Sequence, residues 1–325
     1  MKKSIGLDIG KEEIEASLYD GTTYRNKTYK NNREGIRRMR DQFKKASPDV
    51  ITMEVTGTYY LRCAYALHES GFDVRVENPL VIKRFGQLNL RRTKTDRADA
   101  RLIALYGHNE SGRVFKPVSP ERMKMRVLVK EIDQIFKDIN RNISRIDALK
   151  QYPVNMAETA ERYESKNRQM YQEIDMIQKQ LNVMIERDEE YRAIRRRLKT
   201  IKGVGDRLAS ALIAYVGNFE DFHTAKQLSA YFGITPMLSQ SGTSVNIQGG
   251  INKMGNKYIR SLLRNCGMSA VQFNEQCIGL KKRLESRGAK YNEILIAAGH
   301  KLLRQCFGVV KNNTDYSPCY VRNMA

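Results

Sequence analysis

Apolar positions along the chain follow three successive patterns. Up to about residue 115 they come in short runs broken by turn residues, the mark of strands alternating with helices. Ser4-Ile5-Gly6-Leu7-Asp8-Ile9 predicts a first strand, and Glu13 to Tyr19 and Thr22 to Tyr29 predict two more, joined by a turn at Asp20-Gly21. Asn32 to Ala46 predicts a basic helix, and Val50 to Met53 a buried strand leading to Glu54. Tyr59 to Ser70 has helical spacing and stops at Gly71. Asp73 to Glu77 predicts another strand and Leu80 to Gly86 a short helix. Thr95 is placed to cap a last helix running to about Gly107. Three strands followed by alternating helices and strands is the order of a ribonuclease-H-like α/β fold, though other mixed folds share parts of it.

Past Pro117 and Pro120 the spacing changes. Leu128, Ile132, Ile135, Ile139, Asn142, Ile146 and Leu149 step by four and three, a heptad seam with one polar position, and Pro153 ends it. A second seam runs through Tyr163, Asn167, Met170, Ile174, Ile177, Leu181 and Met184, again with one Asn. The two predict an antiparallel hairpin, a dimerising coiled coil or two long helices of one bundle, and in each case a spacer or oligomerisation arm rather than a site of chemistry. A buried Asn in each seam is a device for fixing register. From about residue 198 the pattern is helical again and rich in glycine and basic residues. The expected organisation is therefore an α/β domain over 1–115, a coiled-coil helical arm over 116–197, and a mainly helical domain over 198–325.

Charge narrows the partners. The 325 residues carry 57 Lys+Arg against 36 Asp+Glu, a formal net charge of +21. A polyanion is the simplest partner for such a chain, because basic side chains release counterions from phosphates. An apolar fraction of 41% is compatible with packed cores. No apolar run is long enough to span a membrane, and Asp8 and Lys11 interrupt any leader-like stretch, so the reading is a cytoplasmic protein with no membrane partner. The five cysteines lack a Cys-x-x-Cys pair and predict reduced, buried thiols rather than zinc or disulfides.

Candidate chemistry sits on the acids. Asp8 lies within an apolar strand, where an unpaired carboxylate costs roughly several kcal/mol, so it needs a cation or hydrogen-bond donors. Glu54 ends a later strand, and Asp96 and Asp99 share one helix face at i, i+3 spacing. Taken singly, Asp8 reads equally as a strand-end residue bonded to amides, and Asp96 and Asp99 as first-turn acids favoured by the helix dipole. Together they suit a hard divalent cation, magnesium or manganese, and a pair of such ions about 4 Å apart serves phosphodiester displacement. Ser241 lies in a Gly/Ser/Thr loop, Ser239 to Ser244, where a serine is ordinarily a turn residue but is also accessible as a nucleophile. Gly203-Val204-Gly205, flanked by Lys202, reads equally as a tight helix–helix connection and as a helix-hairpin-helix turn that lets backbone amides approach phosphate, with Lys202 and Arg207 tilting it toward nucleic acid. Lys94, Lys253, Lys257 and Arg260 are further candidates for nucleic-acid contact.

Taken in order, Gly6-Leu7-Asp8-Ile9-Gly10, Met53-Glu54-Val55-Thr56-Gly57-Thr58-Tyr59, Asn78-Pro79, Lys94-Thr95-Asp96-Arg97-Ala98-Asp99-Ala100, Ile201 to Gly205, Gly233-Ile234-Thr235-Pro236 and Ser241-Gly242 resemble the DEDD transposases of bacterial insertion sequences, the insertion-sequence-110 family. The resemblance covers nearly the whole chain. It implies a RuvC-like N-terminal domain, a coiled-coil arm and a C-terminal transposase domain. It implies Asp8, Glu54, Asp96 and Asp99 as magnesium ligands and Ser241 as the nucleophile that forms a phosphoserine link to DNA. It also implies donor and target DNA as substrates, a bridge RNA that guides by base pairing, and a homo-tetramer built from dimers whose active sites combine two subunits. Such a protein works in the bacterial cytoplasm, at the nucleoid. Met237 and Asn246 stand where relatives often carry basic residues, which bears on nucleic-acid contacts rather than on the nucleophile. The rival reading keeps the same acids in a junction resolvase or nuclease that uses water, with Ser241 structural; a third class is a non-catalytic nucleic-acid scaffold.

Overall fold

The structure, a computed structural model, describes residues 2–55, 57–89, 95–112, 114–241 and 245–318, with only the backbone over 237–241 and 245–249. It divides into two compact units, Met1–Val118 and Ser119–Ala325.

In the first unit, β1 (Ser4–Ile9), β2 (Glu13–Tyr19), β3 (Tyr24–Lys30), β4 (Val50–Glu54) and β5 (Val74–Glu77) form one sheet in the order β3-β2-β1-β4-β5. The hairpin strands β1, β2 and β3 are antiparallel, whereas β4 and β5 join parallel. This is the ribonuclease-H-like arrangement that the sequence predicts. Strands β1 and β4 are almost continuously buried, as expected where helices cover both faces. Helix α1 (Arg33–Ala46) follows β3, its Asn32 side chain capping the first turn. Helices α2 (Leu61–Glu69), α3 (Pro79–Leu88) and α4 (Asp96–Asn109) complete the unit.

Helix α4 lies unusually close to β1. A Cβ on Gly6 would collide with the backbone of Ala100 and Ala104, so glycine at that strand position and alanines on the helix let the two backbones meet. Around that contact the Ser4 hydroxyl donates to the Ala104 carbonyl at 2.8 Å. Lys2 Nζ donates to the last-turn carbonyls of Gly107 and His108 at 2.8 and 2.7 Å, a cation at the negative end of the helix dipole. The predicted cap is present too: Thr95 Oγ1 accepts from the Ala98 amide.

The second unit opens with α5 (Pro120–Leu149) and α6 (Ala157–Glu186), which pair as an antiparallel hairpin. Its register is visible in three successive contacts, Arg145 on Tyr163, Asn142 on Asn167 and Phe136 on Tyr171. The two seam asparagines therefore meet each other, Asn142 Nδ2 donating to Asn167 Oδ1 at 2.9 Å, both buried. A polar pair facing itself satisfies its own desolvation and penalises any shifted register. At the open end of the hairpin the seam drifts: Met125 and Val129 are buried and Leu128 only partly, because α5 there also packs on α8 (Asp206–Val216). One continuous core joins the hairpin to α7 (Glu189–Thr200), α8, α9 (Ala225–Phe232), α10 (Lys257–Phe273) and α12 (Tyr291–Lys311), with α11 (Glu275–Glu285) adding Cys277. Cys63, Cys277 and Cys306 are buried and Cys266 half-buried, all free, and burial pushes the Cys63 thiol up to about 12. Among the described residues no helix is long and apolar enough to cross a membrane.

The segment expected to be a loop before Gly249-Gly250 is instead a β-hairpin. Strand β6 (Pro236–Ser241) pairs antiparallel with β7 (Val245–Ile251), from Pro236 opposite Ile251 to Ser241 opposite Val245. The alternation Val245-Asn246-Ile247-Gln248 carried that signal, and the Ser/Gly-rich residues around it masked it.

Gly6→Ala tests the close approach of α4. Overpacking against two backbone segments is expected to lower the stability of the first unit by about 1–3 kcal/mol in urea unfolding of the full chain. An unchanged midpoint would mean that α4 does not need this contact.

Candidate active site

The β1–α4 contact brings acids together. Asp8 projects from β1, Asp96 opens α4 and Asp99 stands one turn later, and one carboxylate oxygen from each lies within 4.8 Å of the others. Two of these acids sit in the first turn of a helix, where the positive end of the dipole favours negative charge. That does not offset the crowding at Asp8. Its carboxyl is pushed up to about 6, first by burial and then by the charges of Asp99, Asp96, Glu54 and Glu15. Among the described residues no Lys or Arg pairs with Asp8 or Asp96. An oxygen-only group of like charges, with Asp8 and Asp99 half-buried and Asp96 exposed, fits a hard divalent ion.

Glu54 is outside that tight group. It ends β4 on the neighbouring strand, following Met53, the register partner of Leu7, so it stands beside Asp8 and acts on it by charge. Two acids that the sequence reading passed over extend the row. Glu15 is paired with Asp8 across the β1–β2 hairpin, and Glu77 with Glu54 across β4–β5. Thr28 Oγ1 donates to Glu15 Oε2 at 2.6 Å, and burial raises the Glu77 carboxyl despite Arg75 nearby. The hairpin turn after Ile9 sets the first of these pairings: Ile9 faces Ile14, so Asp8 faces Glu15.

The remaining candidates lie in the second unit, apart from Lys94, which is outside the described residues. Ser241 ends β6 at the far end of the hairpin from its Pro236–Ile251 base. That base is clamped. A Cβ on Gly233 would collide with Met254 backbone, and Arg260 Nη1 donates to the Phe232 carbonyl at 2.9 Å. Arg260 thus holds the end of α9, and burial lowers its pKa. Lys253, at φ 59, donates its amide to the Gly233 carbonyl at 3.0 Å and leaves its side chain exposed. Lys257 begins α10, a cation at the positive end of a helix, an arrangement that favours a bound anion over an internal partner.

The glycine turn has a packing role. Gly203, at φ 102, touches Ala270 of α10 where a Cβ would fall, while Gly205 caps α8 with open space around it. Lys202 is exposed beside it. Asp206, the first residue of α8, pairs with Arg195 at 2.8 Å and Lys199 at 2.9 Å, so two of the nearby cations are already neutralised.

Comparison with known proteins finds family matches in both units. Residues 5–152 match a DEDD transposase family of IS110 elements, described as Transposase, and residues 195–283 match the Transposase IS116/IS110/IS902 family. The chain belongs to the IS110 family of transposases. The first match contains Asp8, Glu54, Asp96 and Asp99, and the second contains Ser241 and the clamped hairpin base. The transposase is 29% identical over 321 residues to the pilin gene-inverting protein of Moraxella bovis, covering 97% of this chain and 98% of the relative. It is 28% identical over the same length to its Moraxella lacunata counterpart. The transposase for insertion sequence element IS1111A of Coxiella burnetii is 27% identical over 266 residues, 71% of this chain and 69% of its own. The solved structure of T. thermophilus RuvC in complex with Holliday junction substrate aligns with 35% of this chain and all of its own at 14% identity, with a TM-score of 0.28. The transposase is thus a DNA-recombination enzyme with its acidic group on the ribonuclease-H-like unit.

The raised Asp8 pKa makes a stability prediction. Between the ordinary value of 3.8 and about 6 the folded protein binds more protons than the unfolded chain, so metal-free stability falls as pH rises through that window. Asp8→Asn should raise the metal-free melting temperature at neutral pH and flatten its pH dependence. It should also abolish any rise in melting temperature on adding a divalent cation to the unmodified protein. A variant that melts no higher than the parent without metal would show that Asp8 is not under electrostatic stress.

Proposed function

We propose that the protein is an RNA-guided DNA recombinase that moves an insertion sequence by forming a covalent link between Ser241 and DNA. The observation that carries the reading is the convergence of Asp8, Asp96 and Asp99 in a chain whose family match runs on through Ser241. Asp8, Asp96 and Asp99, with Glu54 beside them, would hold magnesium or manganese. Such an ion supplies Lewis-acid polarisation of a scissile phosphate and offsets charge on the leaving oxygen.

The protein's own groups do the rest. The Ser241 hydroxyl gives up its proton as its Oγ bonds to phosphorus. The phosphorus–oxygen bond on one side of the scissile step breaks, and the departing deoxyribose oxygen takes up a proton. A hydroxyl of the partner strand then attacks the phosphoserine, restoring the serine and joining the new strand. No bond energy is lost to water, which suits exchange rather than cleavage. The full-length similarity to two gene-inverting proteins favours this over the nuclease alternative, since inversion demands rejoining.

Residues 1–115 would form the metal-binding domain, 116–197 the arm through which dimers build a tetramer, and 198–325 the serine-bearing domain. Exposed Lys202, Lys253 and Lys257 and the open turn at Gly205 would hold phosphates, with base pairing to a bridge RNA supplying sequence choice between donor and target DNA. The work is done in the bacterial cytoplasm, at the nucleoid.

Incubation with donor DNA and magnesium should leave a DNA adduct on the peptide containing Ser241, found by mass spectrometry. Ser241→Ala should remove the adduct and lower strand exchange by on the order of 10³-fold or more. Cleavage that survives in Ser241→Ala at normal rates would establish the water mechanism instead. RNA that co-purifies with the protein should match sequence flanking its gene and be needed for target choice; recombination at full selectivity without RNA would overturn the guided reading.

A further inference from the structure

A cavity of the second unit lies among helices that carry neither the serine nor the acids. It encloses about 970 Å³ between the start of α9, helix α12 and the segment after it. Its lining is cationic. Lys301, Arg304 and Lys311 follow one face of α12, and Lys226 faces them from α9, against a single lining carboxylate, Asp315. Lys226, Lys301 and Arg304 make no ion pair among the described residues. Neighbouring cations without carboxylate partners repel one another, and a bound polyanion removes that cost. A second cavity of about 460 Å³ shares His300, Lys301 and Arg304 and adds Arg283, which lengthens the positive track.

The same cleft has aromatic surface. Phe307 and Tyr316 line it, both half-buried, and Lys311 lies over the Phe307 ring at 5.9 Å. The Tyr316 ring is fixed in place: its hydroxyl donates to Asn274 Oδ1 at 3.2 Å and accepts from Gln305 Nε2 at 3.2 Å. His300 is oriented as well. Ser229 Oγ donates to the Ala225 carbonyl at 2.7 Å, so at 3.1 Å from His300 Nε2 it accepts, which leaves Nδ1 as the acceptor of the neutral ring. Aromatic rings beside unpaired cations are the features that hold single strands, because bases stack on aromatic faces while the backbone follows the charge. A duplex keeps its base faces covered and has no use for rings inside a cleft.

We propose that this cleft binds the backbone and exposed bases of a single nucleic-acid strand. Lys301 to Lys311 spans ~15 Å along α12, enough for more than one phosphate. Pro236, which also lines the cleft, is the first residue of β6, and Ser241 lies five residues further on, ~17 Å along the strand. A strand held here is therefore anchored at the foot of the hairpin that carries the serine. The site does not depend on the serine chemistry, and binding is measured without catalysis.

The test uses the full chain in EDTA and labelled single-stranded RNA, single-stranded DNA and duplex DNA of about ten nucleotides or base pairs, read by fluorescence polarisation across a salt series. Lys301→Ala/Arg304→Ala should weaken single-strand binding about tenfold or more and reduce the salt slope by about 1.4, the loss of two phosphate contacts. Phe307→Leu, which keeps the apolar volume, should weaken it several-fold with the slope unchanged, and duplex binding should stay within about twofold in both. Lys44→Ala/Lys45→Ala on α1 removes the same charge elsewhere and should leave the single-strand slope as it was. Photocrosslinks from a thiobase in the strand should fall on peptides containing 224–226 or 301–311. The tighter of the RNA and DNA ligands identifies the strand. The proposal is overturned if duplex binding falls as much as single-strand binding, if the α1 variant loses as much, or if crosslinks avoid the cleft.

Discussion

The close approach of α4 to β1 is the constraint on which the acidic site depends. Gly6 has no side chain, and Ala100 and Ala104 present little more than backbone, so the helix can lie where a larger residue would hold it away. Its first turn then brings Asp96 and Asp99 to Asp8. Lys2 and Ser4 fasten the other parts of the same helix to the same strand. The consequence is electrostatic: packing that is favourable for the core concentrates carboxylates that repel each other, and the folded state favours a proton on Asp8. Stability is given up at the place where a cation would restore it, the usual relation between a strained site and its ligand.

The opposite charge is distributed differently. The excess of basic residues that produces a net charge of +21 is spread over many surfaces, but the second unit gathers part of it where carboxylates are scarce, on α9 and α12. Elsewhere the cations are spent internally. Arg126 donates to the Ala214 and Tyr215 carbonyls at the end of α8, Arg260 to that of Phe232, and Arg195 divides itself between Glu186 and Asp206. Net charge alone therefore overstates how much of the surface is available to phosphate, and the distinction between occupied and unoccupied cations is visible only in three dimensions.

Much of the first unit was legible in the sequence because its signals are local. The strand Ser4–Ile9, the Asn32 and Thr95 caps and the break at Gly71 each depend on residues within a turn of one another. The seam asparagines were legible as polar positions, and their meeting at 2.9 Å follows once the two helices fold back at Pro153. What was missed depends on distant pairing. Glu15 and Glu77 join the row of acids through strand register, which no window of sequence contains. The β6–β7 hairpin was read as a loop because serines and glycines outnumber its few β-branched residues, and a two-stranded ribbon has little apolar face to announce it. Gly203 carries a second constraint that its local sequence does not show: the turn glycine read for phosphate access also lies where a Cβ would meet Ala270.

Under the proposed chemistry the separation of parts has a physical rationale. The acids belong to one compact unit and Ser241 to the other, at the end of a hairpin whose base is held rigid by Gly233, Gly255 and Arg260. A serine hydroxyl is a weak nucleophile until a metal or base stabilises its alkoxide. Placing it on a different unit means that, under that chemistry, neither unit alone carries all the groups needed to break a phosphodiester. The electrostatics act in the same direction, because carboxylates crowded around Asp8 repel a phosphate unless divalent charge is present. Under the proposed chemistry a bound cation on one unit and the serine of the other are both required, so neither contribution breaks a strand by itself.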